Sequence, residues 1–152
     1  MLGQGWQSQW ARVERRLADV QAVYDGAPGG TDAALDAAQA FFEAAFHLRD
    51  HLINDPASQV TRDDVDTFVR GSPSLKLCAD IANASKHLQL TRAWTKDLST
   101  GIERNDVTVY VGTGTSVHRF YIASGGAEHD VLQTAKGAVI AWRGFLSGRQ
   151  LI

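Results

Sequence analysis

Residues 6–24 repeat their large apolar side chains at the spacing of an α-helix, and this pattern constrains the fold more than any other feature. The apolar positions follow one another at intervals of three or four residues: Trp6, Trp10, Val13, Leu17, Val20 and Tyr24. Such intervals keep one face of a helix apolar. We therefore expect an amphipathic first helix that other elements must cover.

Turn-forming residues separate this helix from a long second one. The sequence DGAPGG at residues 25–30 ends the first helix, and Thr31 can cap the next. No glycine or proline follows until Pro56. The second helix is therefore predicted to run from Thr31 to about Asp55.

Two further start signals predict a short third helix and a longer fourth one. Thr61 and Asp64 have the spacing of a capping box, with aspartate in place of glutamate, and this box opens a helix within residues 61–71. Ser72 is followed by a proline, which is typical of an N-cap and the first helical position. This fourth helix is predicted to reach about Thr91.

The chain changes character after the fourth helix. Residues 107–111 and 117–122 alternate β-branched and aromatic side chains around a Gly-Thr-Gly-Thr turn, which predicts an antiparallel hairpin, and a third strand is considered within residues 94–102. Helical spacing then returns at Leu132, Ala135, Val139, Trp142 and Leu146. The predicted fold is mainly α, a bundle of four to five helices with a small β-hairpin before the last helix.

Length and composition indicate one ordinary folded domain over residues 1–152. A chain of this length buries a core without needing disulfides or a structural metal ion. The formal net charge of −2 gives no overall positive field, so any contact with nucleic acid has to rest on a local patch. The single cysteine, Cys78, is expected to be a buried, inert thiol. With neither a signal sequence nor a long apolar run, a cytoplasmic protein without membrane contact is expected.

Two polar stripes on the second and fourth helices are the most distinctive candidates for function. At about 100° per residue, one narrow arc of the second helix collects His47, Asp50, His51 and Asn54. One edge of the fourth helix similarly collects Lys76, Asp80, Asn83 and His87. The spacing predicts that these two stripes face each other across the helix pair.

The composition of the stripes leaves two interpretations open. Solvated helix faces usually carry long helix formers, whereas histidine, asparagine and aspartate have poorer helix propensity. One interpretation is that the stripes form structural hydrogen bonds between helices. The other is that they form a chemical site, because histidine titrates near neutral pH and a nearby carboxylate stabilises its charged form.

Arg49 and the histidine pair add two narrower hypotheses. Arg49 projects into the apolar arc of the second helix, so it needs an aspartate such as Asp80 or Asp66, or else a partner subunit or a phosphate. His47 and His51 have the HxxxH spacing that lets two imidazoles bind one divalent metal ion, and His87 or Asp80 could serve as the third ligand. Phosphate loops, dinucleotide-binding glycine motifs, nucleophile elbows and paired CxxC motifs do not occur in the sequence.

Residues 41–55 (FFEAAFHLRDHLIND) and 77–88 (LCADIANASKHL) resemble a group of uncharacterised bacterial proteins that is similar to the HEPN superfamily. The resemblance implies a helical bundle, commonly dimeric, and often a ribonuclease of a toxin or phage-defence system. The chain departs from the superfamily's ribonuclease motif, an arginine followed four to six residues later by a histidine, because none of its histidines has an arginine at that distance.

The resemblance nominates substitute site residues on both helices. On the second helix they are Arg49, Asp50, His51, Asn54 and Asp55, and on the fourth they are Asp80, Asn83, Lys86 and His87. A histidine would act as general acid or base, and Arg49 or Lys86 would stabilise charge on a phosphate.

Three functional hypotheses follow from these observations. The first is a HEPN-like domain of a bacterial defence or toxin type that acts on or binds RNA or nucleotides. The second is a non-catalytic module that forms a homodimer or binds a protein partner through its helices. The third is a metal-dependent enzyme that uses the HxxxH pair; no other cofactor is predicted.

Overall fold

The computed structural model describes residues 2–152 and has the predicted mainly α architecture. In chain order its elements are α1 (Trp6–Tyr24), α2 (Thr31–Asn54), a short 3-10 helix (Pro56–Ser58), α3 (Arg62–Arg70), α4 (Pro73–His87), β1 (Gly101–Tyr110), β2 (Thr115–Ser124), β3 (Ala127–Asp130) and α5 (Val131–Gly148). The five helices and the hairpin before the last helix confirm the predicted fold class. No helix in the described part of the chain combines the length and the apolar character that crossing a membrane requires.

The predicted start signals of α3 and α4 operate as expected. The Thr61 hydroxyl accepts a hydrogen bond from the Asp64 amide at 3.1 Å, and the Asp64 carboxylate accepts one from the Thr61 amide at 3.1 Å. The Ser72 hydroxyl accepts from the Leu75 amide at 3.3 Å. These bonds satisfy backbone N–H groups that a helix N-terminus otherwise leaves free.

The core lies where α1, α2, α4 and α5 meet. Its largest fully buried side chains include Trp142, Phe41, Phe42 and Leu48. The Trp142 indole donates a hydrogen bond to the backbone carbonyl of Ala45 at 2.9 Å, so α5 is fixed against α2 by a directional contact as well as by packing.

Cys78 lies inside this core on α4. Its side chain is fully buried and forms no disulfide. Burial raises the pKa of the thiol because the thiolate would lose its hydration. The expected burial of this cysteine is confirmed.

The sheet has three antiparallel strands in the order β1-β2-β3, and its third strand is not the one considered from the sequence. β3 pairs with β2 from Tyr121 opposite Asp130 to Ser124 opposite Ala127. The expected strand within residues 94–102 is wrong apart from its end, because residues 88–100 form a loop and β1 begins at Gly101. Backbone groups of this loop bind a side chain of α4 instead of another strand.

The fourth helix is shorter than predicted. It ends at His87 and not near Thr91, because Leu88 adopts a left-handed backbone conformation with φ of 64°. A bulky residue rarely takes this conformation, so the sequence contains no signal for the turn.

Tyr24 anchors the sheet to the end of α1. Its hydroxyl oxygen accepts hydrogen bonds from the amides of Phe120 at 3.2 Å and Leu132 at 3.3 Å. The hydroxyl also lies 3.1 Å from the Phe120 carbonyl and 3.2 Å from the Asp130 carboxylate. Burial, above all, raises the pKa of Tyr24 to about 12, so the phenol stays neutral and able to donate.

Candidate functional site

The polar residues at the end of α2 line a surface cavity of their own. Asp50, His51, Asn54 and Asp55 lie around a volume of about 550 Å³, which Gln4, Gly5 and Pro56 complete. The cavity joins four predicted site residues to the segment that precedes α1. It contains no residue of α4.

Two of these carboxylates already have structural partners. Asp55 accepts hydrogen bonds from the amides of Trp6 at 3.0 Å and Ala57 at 2.9 Å, and these backbone donors lower the pKa of its carboxyl group. Asp50 accepts a hydrogen bond from Arg49 at 2.6 Å while remaining half exposed. Of the predicted residues in this cavity, His51 and Asn54 have side chains that form no hydrogen bond in the described chain, and His51 interacts with Asp55 by charge alone.

Arg49 is neutralised from within the fold. Its Nε donates to one Asp66 oxygen at 2.6 Å and its Nη2 donates to the other at 3.1 Å, which is a bidentate pair. The hydrogen bond that Arg49 donates to Asp66 is the main reason that the pKa of Arg49 is raised. Of the two aspartates that the sequence suggested as partners of Arg49, Asp66 is therefore the one that binds it. Arg49 is not a free phosphate-binding group.

Asp80 on α4 is a structural residue. Its carboxylate has no exposed surface and accepts hydrogen bonds from the Trp94 amide at 2.8 Å, the Thr95 amide at 3.0 Å and the Thr95 hydroxyl at 2.6 Å. Three donors hold the loop of residues 88–100 against α4. The charge of Asp80 is therefore satisfied by backbone and hydroxyl groups and not by Arg49.

The remaining predicted residues of α4 lie near its end. Asn83 and His87 line a second cavity of about 210 Å³ together with residues 89–92. Lys86 is exposed and forms no ion pair within residues 2–152.

His51 and Asn54 lie apart from Asn83 and His87 along the helix pair. The Ser85 hydroxyl donates to the Glu43 carboxylate at 2.8 Å and so fixes the register of α4 on α2. His51 lies eight residues beyond Glu43, whereas Asn83 and His87 lie two residues from Ser85. At a rise of 1.5 Å per residue, His51 is roughly 9 Å or more from both along the helix axes. These two pairs of residues therefore line two separate cavities and do not share the expected site between the helices.

The metal hypothesis gains no third ligand. Among residues 2–152, no three histidine, cysteine, aspartate or glutamate side chains are grouped so that they could hold a metal ion. His47 is exposed on α2, one turn before His51. Two imidazoles without further donors do not make a protein metal site.

A third cavity, which sequence reasoning did not identify, is strongly basic. It has a volume of about 610 Å³ and is lined by Arg70, Lys76, Arg92, Ala93, Trp94 and Lys96. We call it the Trp94 pocket. Arg70 is the last residue of α3, Lys76 lies in the first turns of α4, and the other four belong to the loop of residues 88–100.

The tryptophan at the centre of this pocket is held from several sides. Phe46 meets the Trp94 ring edge to face, with 6.0 Å between ring centroids. The guanidinium groups of Arg49 and Arg70 lie 5.7 Å and 5.8 Å from its centroid. Since Asp80 binds the Trp94 amide, both the backbone and the ring of this residue are fixed before any ligand arrives.

The four cations of the pocket lack counter-charges. Within residues 2–152, no ion pair or side-chain hydrogen bond joins Arg70, Lys76, Arg92 or Lys96 to a carboxylate. In a chain of net charge −2, this makes the pocket a concentrated positive region. Because the chain as a whole has no positive field, contact with a polyanion requires a local basic patch, and this pocket is such a patch.

Comparison with known proteins gives no family for the chain: no protein-family model, no curated protein and no solved structure matches it.

Proposed function

We propose that this protein binds RNA or nucleotides at the Trp94 pocket. One observation carries the proposal: four cations that form no ion pair line the same cavity as an aromatic ring that the fold holds in place. Phosphate groups are bound by lysine and arginine, and bases stack on aromatic faces. The pocket therefore offers complementary chemistry to both parts of a nucleotide.

The energetics favour a nucleotide over a simple anion. Stacking of a base on an aromatic side chain contributes roughly 1–3 kcal/mol. Each phosphate contact releases counterions, which makes binding strongly dependent on salt. A small anion would use the cations alone and leave the exposed part of Trp94 uncovered.

RNA binding at the Trp94 pocket does not depend on whether the protein also cleaves RNA. His51 and His87, the candidate acid and base, line two cavities other than the Trp94 pocket. A HEPN-like domain in a defence or toxin system would need such an RNA-binding surface whether or not it cleaves. The nuclease hypothesis is tested by incubating mixed RNA with the protein and its His51→Ala and His87→Ala variants. Intact RNA in all three samples would refute it and leave binding untouched.

Binding is tested by fluorescence anisotropy with a labelled single-stranded RNA of about eight nucleotides, a length within the usual range for such sites. We expect the logarithm of the association constant to fall linearly with the logarithm of salt concentration. Lys76→Ala should weaken binding and reduce that slope by about 0.7, the loss of one contact to a single strand. Lys136→Ala removes an exposed cation of α5 and serves as the matched control.

The stacking part of the proposal has its own variant. Trp94→Ala should weaken RNA binding about ten-fold or more because the stacking platform is removed. Tyr110→Ala removes an exposed aromatic ring of the hairpin and should have no effect. Equal affinity of Lys76→Ala and Lys136→Ala, together with unchanged affinity of Trp94→Ala, would refute the proposed function.

A second candidate function, assembly into a homodimer, is favoured by the exposed edge of β1. No strand within residues 2–152 pairs with this edge. Its distal half exposes the apolar residues Val107, Val109 and Tyr110, and Val111 directly after the strand is also exposed. An antiparallel pair of identical edges is self-complementary. A two-fold axis at Thr108 would place Asp106 opposite Tyr110. Arg104 would lie opposite Gly112, so no like charges would face each other.

Sedimentation velocity at increasing protein concentration tests this assembly. We expect a dimer for the wild type and a monomer for Val109→Lys, because a charge on an edge strand opposes pairing. Ile140→Lys places the same charge on an exposed apolar position of α5 and should leave the dimer intact. A monomer in all three proteins would refute the dimer.

A further inference from the structure

The Trp94 pocket adjoins a second cavity. Arg92 lines both this pocket and the smaller cavity of about 210 Å³ that contains Asn83 and His87. One cation therefore lies between two adjoining spaces. A phosphate held by Arg92 would connect a group in one space to a group in the other.

The second cavity differs from the first in chemistry. Its side chains include the amides of Asn83 and Gln89 and the hydroxyl of Thr91, and none of these three forms a hydrogen bond within residues 2–152. An amide carries both donors and acceptors, as does the edge of a nucleobase. The cavity is thus suited to hydrogen bonding with a base, whereas the Trp94 pocket is suited to stacking and to phosphate.

The size of the second cavity limits what it can hold. Sites for drug-sized ligands have volumes of roughly 300–1,000 Å³. At about 210 Å³, this cavity suits a single flat group and not a whole nucleotide. A base that enters it must be unpaired and turned out of any stack, which a duplex does not allow.

A backbone irregularity forms this cavity. Leu88 has φ of 64°, and it turns the chain directly after α4 so that residues 89–92 return beside the last turns of that helix. Such conformations of large residues are costly and concentrate at functional sites. The turn brings Gln89 next to Asn83 without a glycine.

We infer that the Trp94 pocket and the Asn83 cavity are two consecutive subsites for single-stranded RNA, with one base stacked on Trp94, the linking phosphate on Arg92, and the next base bound by Asn83 and Gln89. This inference rests on the proposed function. It adds the substrate class, an unpaired strand of at least two nucleotides, and assigns base selection to the amides.

The test compares ligands of different length and strandedness in competition with the labelled RNA. A dinucleotide with a 5′-phosphate should bind about ten-fold or more tightly than a nucleoside monophosphate, because it fills a second subsite. A single-stranded homopolymer should bind more tightly than a duplex of the same length. Tighter binding of the duplex, or equal binding of the mononucleotide and the dinucleotide, would overturn the inference.

Variants separate base selection from phosphate binding. Asn83→Ala and Gln89→Ala should reduce the differences among the four RNA homopolymers while leaving the salt dependence unchanged. Lys76→Ala should instead weaken all four homopolymers alike. Gln133→Ala, which removes an exposed amide on α5, is the matched control.

The outcomes distinguish the two proposals. Failure of every RNA to bind would refute the proposed function and this inference together. Binding that depends on Lys76 and Trp94, but shows the same homopolymer preferences in Gln89→Ala, Asn83→Ala and wild type, would refute the two subsites and leave the Trp94 pocket as the binding site.

Discussion

Removal of the Asp80 carboxylate is predicted to destabilise the fold and to weaken RNA binding at the same time. Asp80 is fully buried and accepts three hydrogen bonds from Trp94 and Thr95. Each hydrogen bond to a charged group contributes roughly 1.5–3 kcal/mol, so three would cost roughly 5–9 kcal/mol if no donor found a new partner. Trp94 and Thr95 are partly exposed, and water replaces part of the loss.

We therefore expect Asp80→Ala to lower the free energy of unfolding by about 3 kcal/mol. For a chain of this size, that corresponds to a melting temperature about 6–12 °C lower. Urea unfolding followed by tryptophan fluorescence and circular dichroism measures the loss. Asp36→Ala removes an exposed aspartate of α2 that has no partner in the described chain, and it should change stability by less than about 0.5 kcal/mol.

The sign of the effect on RNA affinity distinguishes two roles of Asp80. A carboxylate that acted only through its charge would weaken anion binding, so its removal would strengthen RNA binding. A carboxylate that positions the loop would have the opposite effect, and we expect affinity to fall in Asp80→Ala under conditions where the protein remains folded. Unchanged stability, or tighter RNA binding, would refute the positioning role.

Four further predictions concern the fold. Because the pKa of Tyr24 is raised to about 12, the folded state holds the phenol proton more tightly than the unfolded state does. The free energy of unfolding should therefore fall as the pH rises above about 10. Tyr24→Phe should remove this pH dependence when unfolding is measured over the same pH range. Gly26→Ala should destabilise by about 1–3 kcal/mol, since Gly26 has φ of 89° and an added Cβ would lie 2.6 Å from a threonine methyl of β2. Gly112→Ala, with positive φ but open space, should cost about 1 kcal/mol in thermal unfolding. Asp66→Ala should lower the free energy of unfolding in urea by about 3 kcal/mol, because it leaves the largely buried Arg49 without its bidentate partner. A loss no greater than that of Asp36→Ala would contradict this prediction.

The helical part of the fold was predictable because its signals are local. The apolar periodicity of α1 and the capping residues Thr61 and Ser72 act within a few positions of the backbone that they organise. The loop of residues 88–100 was not predictable, since its conformation depends on Asp80, which precedes Trp94 by fourteen residues and whose role needs the folded chain. The third strand considered within residues 94–102 does not form, because the Trp94 and Thr95 amides bind Asp80 and not a neighbouring strand.

The candidate site follows the same division. Helical spacing grouped His51 with Asn54 and Asn83 with His87, and each of these pairs lines one cavity. Helical spacing could not give the relative register of α2 and α4, and this register separates the two pairs of residues. The cations of the Trp94 pocket come from α3, α4 and a loop, and in the sequence each is an ordinary surface residue. The net charge could indicate only that a patch was needed, and not where it would form.

The attachment of the loop of residues 88–100 to Asp80 also affects how the protein can evolve. The bonds that shape the pocket use one buried carboxylate and backbone amides, whereas the charge of the pocket comes from side chains that form no ion pair in the described chain. Substitutions of Arg70, Lys76, Arg92 or Lys96 therefore change what the surface attracts at little cost to folding. Selection can exchange ligand preferences on this scaffold one residue at a time, while a change at position 80 would have to be accompanied by a redesign of the whole loop.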